Sequence, residues 1–419
     1  MHIIDRSLPV AKRPGQGYIL STNNEPIEFQ AAYCGFGVVD SRVHIQNAFK
    51  IFKVDSEGKW ISIHSNAGRI SVTDDKLTSR YEGEFLIEAM KSVEIERSRP
   101  IYLDPLEEKI SLEYVFEQSE IQRAFHGTWK TRQNNDNACL LAPVGFLDFP
   151  QDCSQEVMSI DFEDQDGHLW IVGAPGSGKS MTLETILLSL ALTNTPEQVQ
   201  FYIVEYGNGR LSKYENLPHT GAVIRLTDPD ERLTRLLNFL NDEMDRRMAR
   251  QEDEEYGSAK FPAVFIVINN FAELRTNYPD QAERISRIVR DGNAVGLHVI
   301  IATNRKVELG RLVVARRIVL RLSNRDEYMD AVGKAVQLSS VQAEGRGVWV
   351  VDQKISECQI SQPSIKLDEQ NDFQDAKAVC LAMQKEWNGL TPKPIEVLPS
   401  YIPFSPLLEE VKSEKRGGV

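Results

Sequence analysis

No stretch of this sequence is apolar for long enough to cross a membrane; the longest candidate, 186–192, is far too short. The N-terminus, MHIIDRSLPVAKRPG, lacks the apolar core and small cleavage residues of a secretory leader. The five cysteines (Cys34, Cys139, Cys153, Cys358, Cys380) are odd in number and never form a C-x-x-C pair. That excludes a disulfide framework and gives no zinc pattern. Positive charge is short as well: 48 Lys and Arg face 61 Asp and Glu, a formal net charge of −13. Such a balance argues against a surface that grips DNA along its whole extent and leaves room for a local basic pore only. The 41% hydrophobic and 26% charged content is ordinary globular composition. Length, at 419 residues, suggests two or three domains or one large domain with extensions. The expectation is a soluble, acidic, cytosolic chain.

The clearest positive signal lies at 168–180, HLWIVGAPGSGKS. A short apolar run leads into Gly173, Ala174, Pro175, Gly176, Ser177, Gly178, Lys179 and Ser180, which fit G-x-x-x-x-G-K-[ST]; the following MTLETILLSLAL reads as a buried helix. Glycines let the backbone N–H groups curl around phosphates at a helix N-terminus, where the dipole favours anions. Lys179 would neutralise the β and γ phosphates and Ser180 would bind Mg²⁺, so ATP with Mg²⁺ is the expected ligand.

Further apolar runs follow, FYIV at 201–204, AVFIVI at 263–268, HVIIA at 298–302 and IVLRL at 318–322. Helical patterns separate them. Asp228, Pro229, Asp230 and Glu231 open one, carried to about Arg250 by Leu233, Leu236, Leu237, Leu240, Met244 and Met248; Ala282, Ile285, Ile288 and Val289 mark another. The alternation predicts an α/β fold from about 165 to 352, a parallel sheet covered by helices on both faces. The acidic run QEDEE (251–255) reads as a solvated loop. Before 130 the runs FKIFKV, KWISIHS and GRISVT predict small β-rich or connector structure. The proline-rich stretch 392–406 reads as extended, and KSEKRGGV as a frayed end.

Two echoes suggest tandem copies of a domain-sized unit. RPGQGYIL (13–20) with EFQ (28–30) matches AEGRGVWV (343–350) with ECQ (357–359), at an offset of 330 and then 329; RPIYLDP (99–105) matches KPIEVLP (393–399) at 294.

Hydrolysis requires more than a phosphate loop. An apolar strand such as VFIVI should end in an Asp that orients Mg²⁺ and an acidic residue that activates water, but Asn269 and Asn270 stand there. An amide carries no charge and cannot act as general base, and losing the base costs about 10²–10⁴ in rate. Glu205 and Glu273 are the carboxylates near enough in sequence to substitute, and both read better as structural. Thr303 and Asn304, ending the HVIIA strand at the ligand-binding edge of such sheets, are candidate γ-phosphate sensors. Arg305, Arg316, Arg317, Arg321 and Arg325 are candidate fingers reaching into a neighbouring subunit.

The phrases GAPGSGKS, FYIVEYGNGRLSKYENLPHTGAVI, GLHVIIATNR and GRGVW resemble the FtsK/SpoIIIE branch of RecA-like P-loop NTPases, and more narrowly the coupling ATPase of type VII (ESX) secretion systems. The resemblance covers 10–32 and about 99–412. It implies 1–32 as the C-terminal tail of a preceding ATPase-like unit, 33–128 as a connector, 129–364 as the ATPase domain and 365–419 as a C-terminal linker. It implies an oligomerising motor at the inner face of the cell membrane, whose partners are other ATPase units, a membrane complex reached through regions absent from this chain, and small helical-hairpin secreted substrates. It further implies that later units bind ATP tightly and serve in regulation or substrate docking. Two departures stand out: the Walker B Asp of the family is Asn269 here, and Glu205 replaces a usual Asp. The chain also lacks the family's membrane anchor and first ATPase unit, so a fragment or a split subunit is expected. The alternatives are a DNA translocase of the wider family and a nucleotide-free scaffold.

Overall fold

The computed structural model describes residues 14–20, 26–32, 50–65, 82–92, 103–129, 138–164, 167–251, 261–306, 314–334, 343–352, 354–367 and 373–397. The chain divides into two compact units, Met1–Arg99 and Pro100–Val419. The expected strand GRISVT, most of the acidic run after Gln251, and the stretch from 398 onward lie outside the described residues.

Among the described residues of the first unit are two hairpins, the second formed where the runs FKIFKV and KWISIHS predict strands. Strands β1 (Gln16–Leu20) and β2 (Pro26–Gln30) pair antiparallel, as do β3 (Lys50–Val54) and β4 (Trp60–Ser65), and helix α1 spans Glu82–Lys91.

The second unit opens with α2 (Leu112–Gln118), whose N-terminus is capped by Ser111 accepting from the Tyr114 amide at 3.2 Å. Strands β5 (Leu141–Phe149) and β6 (Ser154–Asp161) form a hairpin, after which strand and helix alternate. In order come β7 (Leu169–Val172), α3 (Lys179–Thr193), β8 (Val199–Glu205), β9 (Thr220–Arg225), α4 (Asp230–Gln251), β10 (Ala263–Asn269), α5 (Phe271–Asn277), α6 (Pro279–Asp291), β11 (Leu297–Thr303), β12 (Arg317–Leu320) and α7 (Arg325–Val332). Strands β13 (Arg346–Val351) and β14 (Lys354–Ile360) and helix α8 (Ala376–Glu386) close the unit.

One sheet carries ten of these strands, in the order β6-β5-β14-β13-β12-β7-β11-β10-β8-β9. From β12 to β9 every ladder is parallel, as the apolar runs predict; from β12 to β6 every ladder is antiparallel. The expected parallel sheet is present from β12 to β9, and antiparallel strands extend it on the β12 side, where hairpin connections such as β13–β14 are too short for the crossover that a parallel pair needs.

Side chains alternate between two cores. In β10, Phe265 and Val267 face the core shared with α3, while Val264, Ile266 and Ile268 face the core shared with α4 and α6. Helix α3 is buried all round, from Met181 to Thr193. Its buried hydroxyls are absorbed by backbone carbonyls: Thr185 donates to Ser361 at 2.7 Å and Ser189 to Pro143 at 2.9 Å.

The sequence echo has a structural counterpart. In β1–β2, Gln16 pairs with Gln30; in β13–β14, Arg346 pairs with Gln359. Gly15 and Gly345 precede them with φ of +83° and +81°. Gln30 Nε2 donates to the carbonyls of Pro14 and Ala31 at 3.0 and 3.1 Å, and Gln359 Nε2 donates to those of Glu344 and Ile360 at 2.9 and 3.0 Å. The two hairpins share register, glycine conformation and glutamine clasp.

Candidate functional site

The loop 173–178 joins the C-terminal end of β7 to α3 at the middle of the sheet. Gly176 (φ +74°) and Gly178 (φ +106°) take the left-handed region that L side chains avoid. A Cβ on Gly178 would also lie 2.6 Å from the Gly345 amide nitrogen. Gly345 N in turn donates to Ser177 O at 3.0 Å, so the β13 entry braces the glycine loop. Lys179 Nζ donates to the Gly173 and Ala174 carbonyls at 2.7 and 3.0 Å, which holds its charge over the loop. The loop apex, Pro175 and Gly176, is exposed, whereas Ser177 and Gly178 are buried.

Strand register brings the distant candidates to this edge. Asn269 of β10 sits directly opposite Glu205 of β8, and Thr303 of β11 opposite Val172. The Thr303 carbonyl accepts from Gly173 N at 3.2 Å, which ties the end of β11 to the loop; Thr303 is buried and Asn304 half-buried. Asn269 donates through Nδ2 to Glu205 Oε1 at 3.0 Å and to Ser180 Oγ at 3.3 Å.

Glu205 is 3% exposed, and its carboxylate acts as a clamp. Oε1 accepts from Gly207 N at 2.8 Å and Gly209 N at 3.4 Å, and Oε2 from Leu211 N at 2.9 Å. A carboxylate engaged by so many donors orders the 206–211 turn, which is why it reads as structural. Gly207 is required there, since a Cβ would fall 2.5 Å from Asn269 Nδ2. Asn270 takes φ +66°, a conformation Asn tolerates, and its Nδ2 donates to Tyr206 O at 3.1 Å. Glu273, half-buried in the first turn of α5, accepts from Asn277 at 2.9 Å.

Loops of the G-x-x-x-x-G-K-[ST] pattern generally take nucleotide with Mg²⁺, an ion that favours oxygen ligands and usually a carboxylate. Here Ser180 Oγ faces an amide N–H, the nearby carboxylate is engaged by backbone, and the described residues contain no group of three or more His, Cys, Asp or Glu able to hold a metal. This donor set does not fit a tightly held divalent cation.

The five arginines separate by position. Arg316 is 5% exposed and pairs with Asp164, and Arg317 begins β12, so both lie at the sheet edge away from the loop. Arg305 pairs with Glu327 at 3.3 Å, and Arg325 is exposed at the start of α7. Arg321 lies beside the loop of its own chain. Its carbonyl accepts from Ala174 N at 2.8 Å, and its Nη2 donates to Gly176 O at 3.3 Å.

Two features escaped the motif reading. Glu184, fully buried on α3, pairs with Arg210 at 2.5 Å and Lys213 at 2.6 Å, and Arg210 reaches on to Glu344 at 3.6 Å. Beside them a cleft of about 330 Å³, lined by Met181, Arg210, Glu344, Gln362, Phe373 and Asp375, opens next to the first turn of α3. An acidic residue inside an otherwise apolar helix was the available signal for Glu184; nothing local marks the cleft.

Comparison with known proteins agrees with this fold. Residues 133–256 match the model of the FtsK/SpoIIIE family. The type VII secretion system protein EssC of Staphylococcus aureus (strain MRSA252) is 22% identical over 96% of this chain and 28% of its own length. The chain thus spans under a third of that relative. The cytoplasmic domain of the Thermomonospora curvata type VII secretion ATPase EccC has the same fold, with a TM-score of 0.62 at 22% identity over 94% of this chain and 43% of that one. EccC ATPases 2 and 3 from T. curvata, in complex with a signal sequence peptide, give 0.57 at 24% identity over 73% and 55%. Over residues 133–256 the chain thus matches the FtsK/SpoIIIE family, and over nearly its whole length it is similar to the EssC protein of type VII secretion.

Proposed function

We propose that the chain binds ATP at 173–180 and holds it without efficient hydrolysis, as a regulatory or substrate-docking unit of a type VII protein secretion motor. The observation that carries this is the Asn269–Glu205 hydrogen bond beside Ser180. It leaves a neutral amide where a metal-orienting carboxylate belongs and engages the one carboxylate that could replace it. Asn270, turned onto Tyr206, offers no base for the attacking water. In this reading the triphosphate lies on the loop amides and Lys179, and Thr303 and Asn304, at the end of β11 beside the loop, are the candidate γ-phosphate sensors.

The partners in this reading are other ATPase units of the same motor, a membrane complex, and small helical-hairpin substrates, at the cytoplasmic face of the membrane. The peptide seated on EccC supports peptide docking by this kind of unit. We read 1–32 as the close of a preceding unit, 33–128 as a connector, 129–364 as the ATPase domain and 365–419 as a linker. The shared geometry of the two hairpins supports the first of these assignments.

Equilibrium titration with ATP and steady-state phosphate release test the proposal. Wild type should bind at micromolar or tighter concentration with slow or undetectable turnover, and Lys179→Ala should abolish binding. Turnover of about tens per second, within the usual enzyme range, would refute the degenerate site. A steep salt dependence of duplex DNA binding would instead favour a translocase.

A further inference from the structure

A polyphosphate bound at a helix N-terminus needs compensating positive charge beyond the loop amides. In related loops a Lys and a Mg²⁺ held by the Ser/Thr hydroxyl and an Asp share that task. The Asp position here is reversed in polarity. Glu205 Oε1 collects donors, so it orients the Asn269 amide with its nitrogen inward, and the same NH₂ group points at Ser180 Oγ. A cation, or a metal-bound water offering its hydrogens, would meet an N–H there instead of an oxygen.

On the other flank of the loop stands a side chain that is always charged. Arg321 is registered by its backbone, whose carbonyl accepts from Ala174 N, and its guanidinium reaches the exposed apex at Gly176 O. A guanidinium has five N–H donors in a fork suited to phosphate, more than one carbonyl uses. With Lys179 on the Gly173 and Ala174 carbonyls, two full positive charges flank a loop whose β10 side carries an amide.

We infer that Arg321 supplies in cis the second positive charge on the bound polyphosphate, so that this site takes its nucleotide without needing a divalent cation. The inference rests on the nucleotide-binding reading above and concerns only which cation completes it.

The test is equilibrium anisotropy with an ATP analogue carrying a fluorophore on its ribose, run in Mg²⁺ and in EDTA. The proteins are the full chain as wild type, Lys179→Ala, Arg321→Gln and Arg321→Lys. Wild-type Kd should agree between the two buffers within about threefold. Arg321→Gln should weaken binding about tenfold or more in EDTA, the size of one charge-assisted hydrogen bond, and Arg321→Lys should retain most of it. Unfolding temperatures without nucleotide should match across the Arg321 variants, which separates ligand contact from folding. A wild type that loses tenfold or more in EDTA while Lys179→Ala still abolishes binding overturns this inference alone. So does an Arg321→Gln protein that binds like wild type in EDTA. A wild type that binds in neither buffer overturns the nucleotide reading itself.

Discussion

At the scale of single residues, Glu205 and Asn269 show how a neighbour decides chemistry. A carboxylate at the end of a strand reads equally as a base or as a clamp. Its partners settle the matter, because three backbone N–H groups and one amide converge on it in a buried place. Restoring an acid at 269 therefore does more harm than good. Asn269→Asp places two carboxylates where a 3.0 Å hydrogen bond now stands. Urea unfolding should show a loss of about 2 kcal/mol, and phosphate release should stay at the wild-type level because Asn270 still supplies no base. An increase in turnover of tenfold or more in Asn269→Asp alone would show that the Glu205 clamp does not govern this position.

At the scale of elements, the phosphate loop depends on how β7, α3 and β13 meet. Gly176 and Gly178 both have positive φ, yet their surroundings differ. The nearest atom to a Cβ on Gly176 is Arg321 Nη2 at 3.9 Å, whereas a Cβ on Gly178 meets the Gly345 amide at 2.6 Å. Gly176→Ala should cost about 1 kcal/mol of backbone strain and keep nucleotide binding. Gly178→Ala should cost about 2–4 kcal/mol and weaken binding at least tenfold, as it pushes β13 off the loop. Paired denaturation and titration curves for the two variants check this contrast; equal effects would contradict it. Element boundaries were legible where local signals are strong. The acidic, proline-led start at 228–231 predicts a helix, and α4 runs Asp230–Gln251. The antiparallel half of the sheet was not legible, since short runs such as RGVWVV do not say which edge they join.

At the scale of the whole molecule, burial of histidine links the fold to pH. His168, His219 and His298 are each held at a pKa of about 4, down from 6.5, because desolvation disfavours the imidazolium. The unfolded chain takes up these protons near pH 6.5 while the folded chain refuses them until about pH 4. Stability is thus full well above pH 6.5 and declines as pH falls through 6.5 toward 4, by up to about 3 kcal/mol per histidine. Unfolding midpoints in urea at pH 7.5, 6.5 and 5.5 should fall slightly over the first interval and more steeply over the second. A flat profile down to pH 5.5 would contradict the buried, neutral assignment.

The amino-acid order by itself determined the glycine-rich turn, the buried strands flanking it and the neutral side chain at 269, because glycine conformation, apolar periodicity and the charge of a side chain are local properties. The repeat at an offset near 330 was legible for the same reason: a turn that needs glycine and a clasp that needs glutamine leave both letters in the sequence. Tertiary structure alone decided what the acid's replacement does. The contact between Asn269 and Glu205 spans 64 residues and that between Arg321 and the loop spans 145. Only the register of β8, β10, β12 and β7 in one sheet brings those groups within hydrogen-bonding distance, and so separates Arg321 beside the glycine loop from the buried Arg316.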